Sequence, residues 1–128
     1  MMNMYITRRE EGFFINTLSF HLHLISDLIS ADDFPFTKLV IDKGLSELEY
    51  NELFQMLEEL NRSYIRQKEE GLLDYTCLLV QFAGMLNFKL HPDQTMLALK
   101  QQGLYTELME EFIGIIRKSE KRGLKWRR

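Results

Sequence analysis

One cysteine, one tryptophan and two prolines are all that this chain of 128 residues contains of those types. A single thiol, Cys77, excludes an intrachain disulfide, and with it the disulfide-stapled secreted folds. Its neighbours Leu78, Leu79 and Val80 predict burial, so Cys77 reads as an inert core thiol in a reducing compartment. A reactive thiolate needs a cationic, accessible setting. Met1–Arg9 has no apolar run followed by a small-residue cleavage site, so no secretory leader is expected. There is no Gly-x-Ser-x-Gly elbow, no phosphate-cradling glycine loop and no Glu-x-x-His pair of the di-iron type. Internal repeats, low-complexity stretches and long linkers are missing too.

The most informative absence is local. Gly12–Ser26 contains no Asp, Glu, Lys or Arg, and neither does Tyr75–Phe88, in a chain whose charged residues make up 27%. Such segments must be hidden from water on nearly every side, by other helices of the same molecule or by a sister copy. Neither reads as a membrane span. Gly12–Ser26 is short and carries Asn16, Ser19, His21 and His23. Leu72–Leu90 carries Asp74, Gln81, Asn87 and Lys89, where a span needs about 20 apolar residues. A soluble, cytoplasmic protein with no membrane partner is expected.

What is present suits one domain over residues 1–128. Hydrophobic residues reach 45%, and nine Phe and five Tyr supply large core-filling rings. A chain of this length buries roughly two-thirds of the surface its unfolded form exposes, and folds without metal or disulfide. The net charge of −3 is unevenly spread. Arg117–Arg128 has seven basic residues against Glu120, a net of +6, which leaves −9 on the rest. Residues 120–128 are read as a frayed basic tail.

The helices can be placed from local signals. Helix 1 is expected over about 8–29, with Thr7 and Glu10 as a capping box. It is apolar on three sides, with a narrow stripe of Asn16, Ser19, His23, Ser26, Asp27 and Ser30. That stripe fits either a partly buried contact with side-chain hydrogen bonds or a grazing solvent face. Pro35 opens a short helix that Gly44 closes, although Leu39-Val40-Ile41 also suits a strand. Ser46 and Glu49 form a capping box for helix 3, whose Leu53, Leu57, Leu60 and Tyr64 make one stripe; Gly71 stops it. Helix 4 is expected over about 74–88 with Asp74 as cap, and Gly84 within it predicts close approach by another helix. Helix 5 starts at His91 or Pro92 and stops at Gly103. Helix 6 runs from Tyr105 to about Ser119 with Leu108, Phe112 and Ile115 or Ile116 inward. The fold class is all-α, a compact bundle of five or six helices. Helices 1 and 4 are expected at its centre, with helices 3 and 6 covering them.

Candidate sites are sparse. His21 and His23 are two apart and point about 200° apart on a helix, so they cannot share one metal. His21 reads as a hydrogen-bonded core or interface histidine. His23 and Asp27 share a face, but His91 is the only other histidine. The paired glutamates read as solvated helix faces. No catalytic residue, metal site or cofactor is assigned. The helix after Gly103 opens with Glu107, Glu110 and Glu111, which would repel a phosphate backbone.

Leu90-His-Pro-Asp-Gln-Thr-Met-Leu-Ala-Leu-Lys-Gln-Gln-Gly-Leu-Tyr-Thr-Glu-Leu-Met-Glu-Glu-Phe112 resembles the YhaI-like family of small uncharacterised proteins from Bacillus and related bacteria. Leu72–Phe82 is compatible with it. The resemblance implies an all-helical fold, a bacterial cytosol and unknown function, and supplies no catalytic residues.

Three readings of function follow. The leading one is a non-enzymatic interaction or regulatory module that forms a homo-oligomer, most simply a two-fold dimer, or binds another protein. Its interface or pocket would draw on His21, His23, Asp27, Tyr75 and Cys77. The second is nucleic-acid association through Lys121, Arg122, Lys125, Trp126, Arg127 and Arg128, since a cationic tail with an indole suits polyanions. The third is a ligand-binding protein or small enzyme with a pocket between helices 1 and 4.

Overall fold

The computed structural model describes residues 8–123 and contains six helices: α1 (Arg8–Leu28), α2 (Pro35–Lys43), α3 (Glu47–Glu69), α4 (Thr76–Met85), α5 (Pro92–Gln101) and α6 (Thr106–Lys121). The described residues include no strand, so Leu39-Val40-Ile41 resolves to helix. The all-α class read from the sequence is the class observed. Thr7 and Lys125–Arg128 lie outside the described residues.

Local chemistry accounts for most boundaries. Pro35 sits in the first turn of α2, where its missing N–H costs nothing. Gly44 ends α2 at φ 68°, and its N–H and that of Leu45 bond back to Ile41 O and Val40 O. At the start of α3, Ser46 Oγ accepts from the Glu49 N–H at 3.1 Å while Glu49 Oε1 accepts from the Ser46 N–H at 3.0 Å. Tyr105, at the entry to α6, holds φ 51°, a left-handed conformation that is costly for a residue with a Cβ. Its ring packs towards Phe54 and its hydroxyl donates to Glu58 Oε1 at 3.0 Å, so contacts with α3 hold it there.

α4 is shorter than its uncharged sequence predicts. Asp74 does not cap it; Tyr75 takes the cap position, and Asp74 Oδ1 instead accepts from the Thr76 N–H and hydroxyl. At the other end Leu86 turns extended (ψ 139°), because Asn87 is committed elsewhere. Asn87 Oδ1 accepts from the Lys89 N–H, and its amide donates to Glu49 Oε2 at 2.6 Å. A side chain that bonds nearby backbone competes with helix continuation.

The core lies among α3, α5, α6 and one face of α4. Leu57, Phe82, Met96, Leu99, Leu108 and Phe112 are shut off from water. Phe82 and Phe112 meet at 5.6 Å between ring centres, and Tyr64 and Tyr75 at 4.8 Å. α5 packs on α6 and α2, α3 on α4, and α4 also on α6. α2 has no capping side chain of its own. Gln102 supplies one: its Oε1 accepts from the Phe36 and Thr37 N–H groups at 2.8 and 3.0 Å, and its Nε2 donates to Thr37 Oγ1.

Three expectations require correction. α1 is not central: it touches α2 and lies outside the core, with Ser26 its one buried residue among those described. Cys77 is exposed. Each residue turns a helix by about 100°, so Leu78 and Leu79 face in while Cys77 and Val80 face out. Gly84 has no neighbour within 4 Å of where a Cβ would sit, so none of the described helices approaches it closely.

Candidate interaction surface

α1 is oriented by a polar contact rather than by its apolar side chains. Ser26, 3% exposed, donates from Oγ to Asp42 Oδ1 at 2.6 Å. Lys38 Nζ donates to the Ser26 carbonyl at 2.8 Å and to Ser26 Oγ at 3.3 Å, and lies 3.8 Å from Asp42 Oδ2. α1 has no basic residue in its last turn, so Lys38 of α2 places a cation at the negative end of its dipole. An open groove of about 330 Å³ runs along this contact, lined by Ser19, Leu22, His23 and Ser26 of α1 with Ile41 and Asp42 of α2. At Ser26, then, the polar stripe makes the partly buried contact with hydrogen bonds. Asn16, Ser19, His23 and Asp27 stay exposed.

With that edge turned towards α2, the apolar sides of α1 face water. Phe13 is 75% exposed and Leu28 84%, and Ile15, Phe20, Leu22 and Ile25 are each more than half exposed. α4 presents a second apolar surface. Val80 and Met85 project outward, and Leu73 before the helix and Phe88 after it are 91% and 84% exposed. Cys77 and Gly84 lie in the same outward stripe as Val80.

The polar clusters elsewhere hold helices together. Glu49 accepts from Lys89 Nζ and Asn87 Nδ2, each at 2.6 Å, and Lys89 also reaches the Gly44 carbonyl. The Lys89 ammonium, aided by the Ser46 N–H and the Asn87 amide, pulls the Glu49 pKa down from 4.5 to about 2. It is therefore a fixed anion at neutral pH, unsuited to proton donation. Glu107 bonds Lys68 and accepts from the Tyr64 hydroxyl at 2.9 Å. Lys68 and then Tyr64 lower the Glu107 pKa, while burial and the Glu107 carboxylate push the Tyr64 phenol well above its ordinary value.

The residues singled out from sequence do not converge on one site. Tyr75 is buried between α3 and α4, with its hydroxyl donating to the Leu72 carbonyl at 2.7 Å. Cys77, His21, His23 and Asp27 are all exposed, and the His21 ring sits 5.9 Å from that of Phe20. Lys121 and Arg122 are exposed at the end of α6, whereas Lys125, Trp126, Arg127 and Arg128 lie outside the described residues. Among the described residues no group of three or more His, Cys, Asp and Glu is placed to hold a metal ion, and no helix is long and apolar enough to cross a membrane. Sequence reasoning did not find Lys38, Asp42, Gln102 or Lys89. The one available signal was negative: neither the last turn of α1 nor the first of α2 carries its own compensating group.

A family model described as a protein of unknown function, DUF1878, matches residues 11–117. The match takes in most of α1, with its exposed apolar sides, and stops before the last basic residues of the chain.

Proposed function

The chain belongs to the DUF1878 family, whose function is unknown, and from its geometry we propose that it is a non-enzymatic interaction module that works as a homo-oligomer, most simply a two-fold dimer. The observation that carries this reading is the outward apolar surface of α1. Phe13, Ile15, Phe20, Leu22, Ile25 and Leu28 are all more than half exposed, and large apolar side chains of this kind fill the roughly 800 Å² that each partner of a standard stable interface contributes. Monomeric proteins rarely expose a contiguous apolar patch beyond about 300–600 Å². The charge-free run Gly12–Ser26 has the composition that such an interface core favours.

Within this proposal the acting unit is the whole of residues 1–128 as one helical domain. The Leu90–Phe112 stretch supports a YhaI-like member from a Bacillus-type bacterium. A solitary, exposed thiol at Cys77 suits the reducing cytosol. Size-exclusion chromatography with light scattering tests the reading. At micromolar concentration the expected molar mass is twice the 15.3 kDa of the chain, and a stable 15.3 kDa species overturns it.

A further inference from the structure

α1 and α4 each carry a stripe that no described residue covers, and the two have matching periodicity. On α1 the face opposite Ser26 is Phe13, Thr17, Phe20, Leu24 and Leu28, spaced four, three, four and four. Along α4 the outward stripe is Cys77, Val80 and Gly84, and the loop residues Leu73 before the helix and Phe88 after it are exposed too. Neither stripe contains a charged residue.

We propose that a second copy of this chain seats the Phe13–Phe20–Leu28 stripe of its α1 on the Cys77–Val80–Gly84 stripe of α4, reciprocally about a two-fold axis. This rests on the self-association proposed above and names its contact surfaces.

Gly84 is the most specific support. A glycine inside a helix is unfavourable relative to alanine, and no contact among the described residues requires one here. It leaves a hollow in the stripe, one turn on from Val80, where a ring from another helix can approach the backbone. Desolvation weighs against the outward sides of α3 and α6. The outward side of α3 carries Glu52, Glu58, Glu59, Arg62, Arg66 and Glu69, and that of α6 carries Glu110, Arg117, Lys118 and Lys121. Covering either with an uncharged helix would strand ions away from water. α2 already receives the Ser26 edge. Pairing α1 with α1 would leave the α4 stripe wet, whereas reciprocal exchange covers both stripes. Covering Phe13, Phe20, Leu28 and Val80 on both copies removes from water side chains that are each more than half exposed, the kind of burial that standard stable interfaces of about 1,600 Å² rest on.

Four variants of the full chain, each with one added cysteine, test the pairing: Phe13→Cys, Thr17→Cys, Phe20→Cys and Leu24→Cys, each retaining the native Cys77 and oxidised with diamide. A disulfide requires Cα atoms within about 7 Å, so one variant or two neighbours should link and the rest should not. The expected product is a covalent dimer on a non-reducing gel, lost when Cys77→Ser is added. Ser19→Cys, on the α2 side, should not link to Cys77. Gly84→Leu should keep its helicity and weaken dimerisation at least tenfold. Three outcomes overturn the pairing while leaving self-association intact. They are a covalent dimer that persists with Cys77→Ser, a wild-type dimer in which no variant links to Cys77, and a wild-type dimer in which Gly84→Leu leaves the affinity unchanged. An intrachain disulfide in a monomer shows α1 closing on its own α4, which removes both this pairing and the self-association reading.

Discussion

α1 and α3 are the two longest helices, with 21 and 23 residues, and they treat water in opposite ways. α3 separates its sides: Leu53, Leu57, Leu60 and Tyr64 are buried while Glu52, Glu58 and Arg62 are exposed. α1 is apolar on three sides and buries only Ser26 among its described residues. Charge on one side of a helix tells the other side where to go. A helix without charge carries the need for burial but no direction, and what covers it need not belong to the same chain. The core of the single chain is built from α2–α6, whereas the cover that α1 lacks is what our proposal assigns to a second copy.

Phe112→Ala in α6 should have the largest effect. Its side chain is fully buried against Phe82, and its removal should cost about 3–5 kcal/mol in chemical denaturation. Phe13→Ala should instead leave the denaturation midpoint of dilute protein unchanged and shift the concentration at which it dimerises. Equal losses of stability from both variants would erase the distinction between the two regions.

Ser26→Ala and Gln102→Ala should have intermediate effects, about 1 kcal/mol each. Ser26→Ala removes the bond to Asp42, so hydrogen-exchange protection should fall in α1 and persist in α3. Gln102→Ala uncaps two N–H groups of α2 and should raise exchange at Phe36 and Thr37 first.

The smallest effect is pH-dependent and belongs to the α3 side. Folding lowers the Glu49 pKa from 4.5 to about 2, so this group favours the folded state above pH 4.5, and that contribution fades as pH falls from there towards about 2. Glu49→Gln keeps an acceptor for the Ser46 N–H but cannot ionise. The urea midpoint should therefore fall less steeply with acid in the variant than in the wild type. Identical slopes below pH 4.5 would show that the Lys89–Glu49 pair does not hold the loop after α4 to α3.

The same contrast explains what could be read without coordinates. The Ser46–Glu49 box, Gly44 and the Leu53–Tyr64 stripe are local signals, and each appears where its spacing places it. The end of α4 was not readable, because Asn87 answers to Glu49, which is distant in sequence. The exposure of Cys77 beside Leu78 and Leu79 follows from helical rotation, which a run of apolar neighbours conceals. The placement of α1 depends on Ser26, Lys38 and Asp42, three ordinary polar residues whose convergence exists only once α2 has folded back along α1. The candidate interface was readable as a stretch without charge, but not as an outward surface.

Hydrogen exchange of α1 at two protein concentrations tests the account most directly. Most helical stability in proteins comes from packing rather than from intrinsic propensity, so lasting protection of its amides must come from what covers it. At tens of micromolar the amides of residues 12–28 should be protected, and dilution below the dimerisation range should remove that protection while α3 and α6 keep theirs. Protection of α1 that does not change with concentration would contradict burial by a second copy.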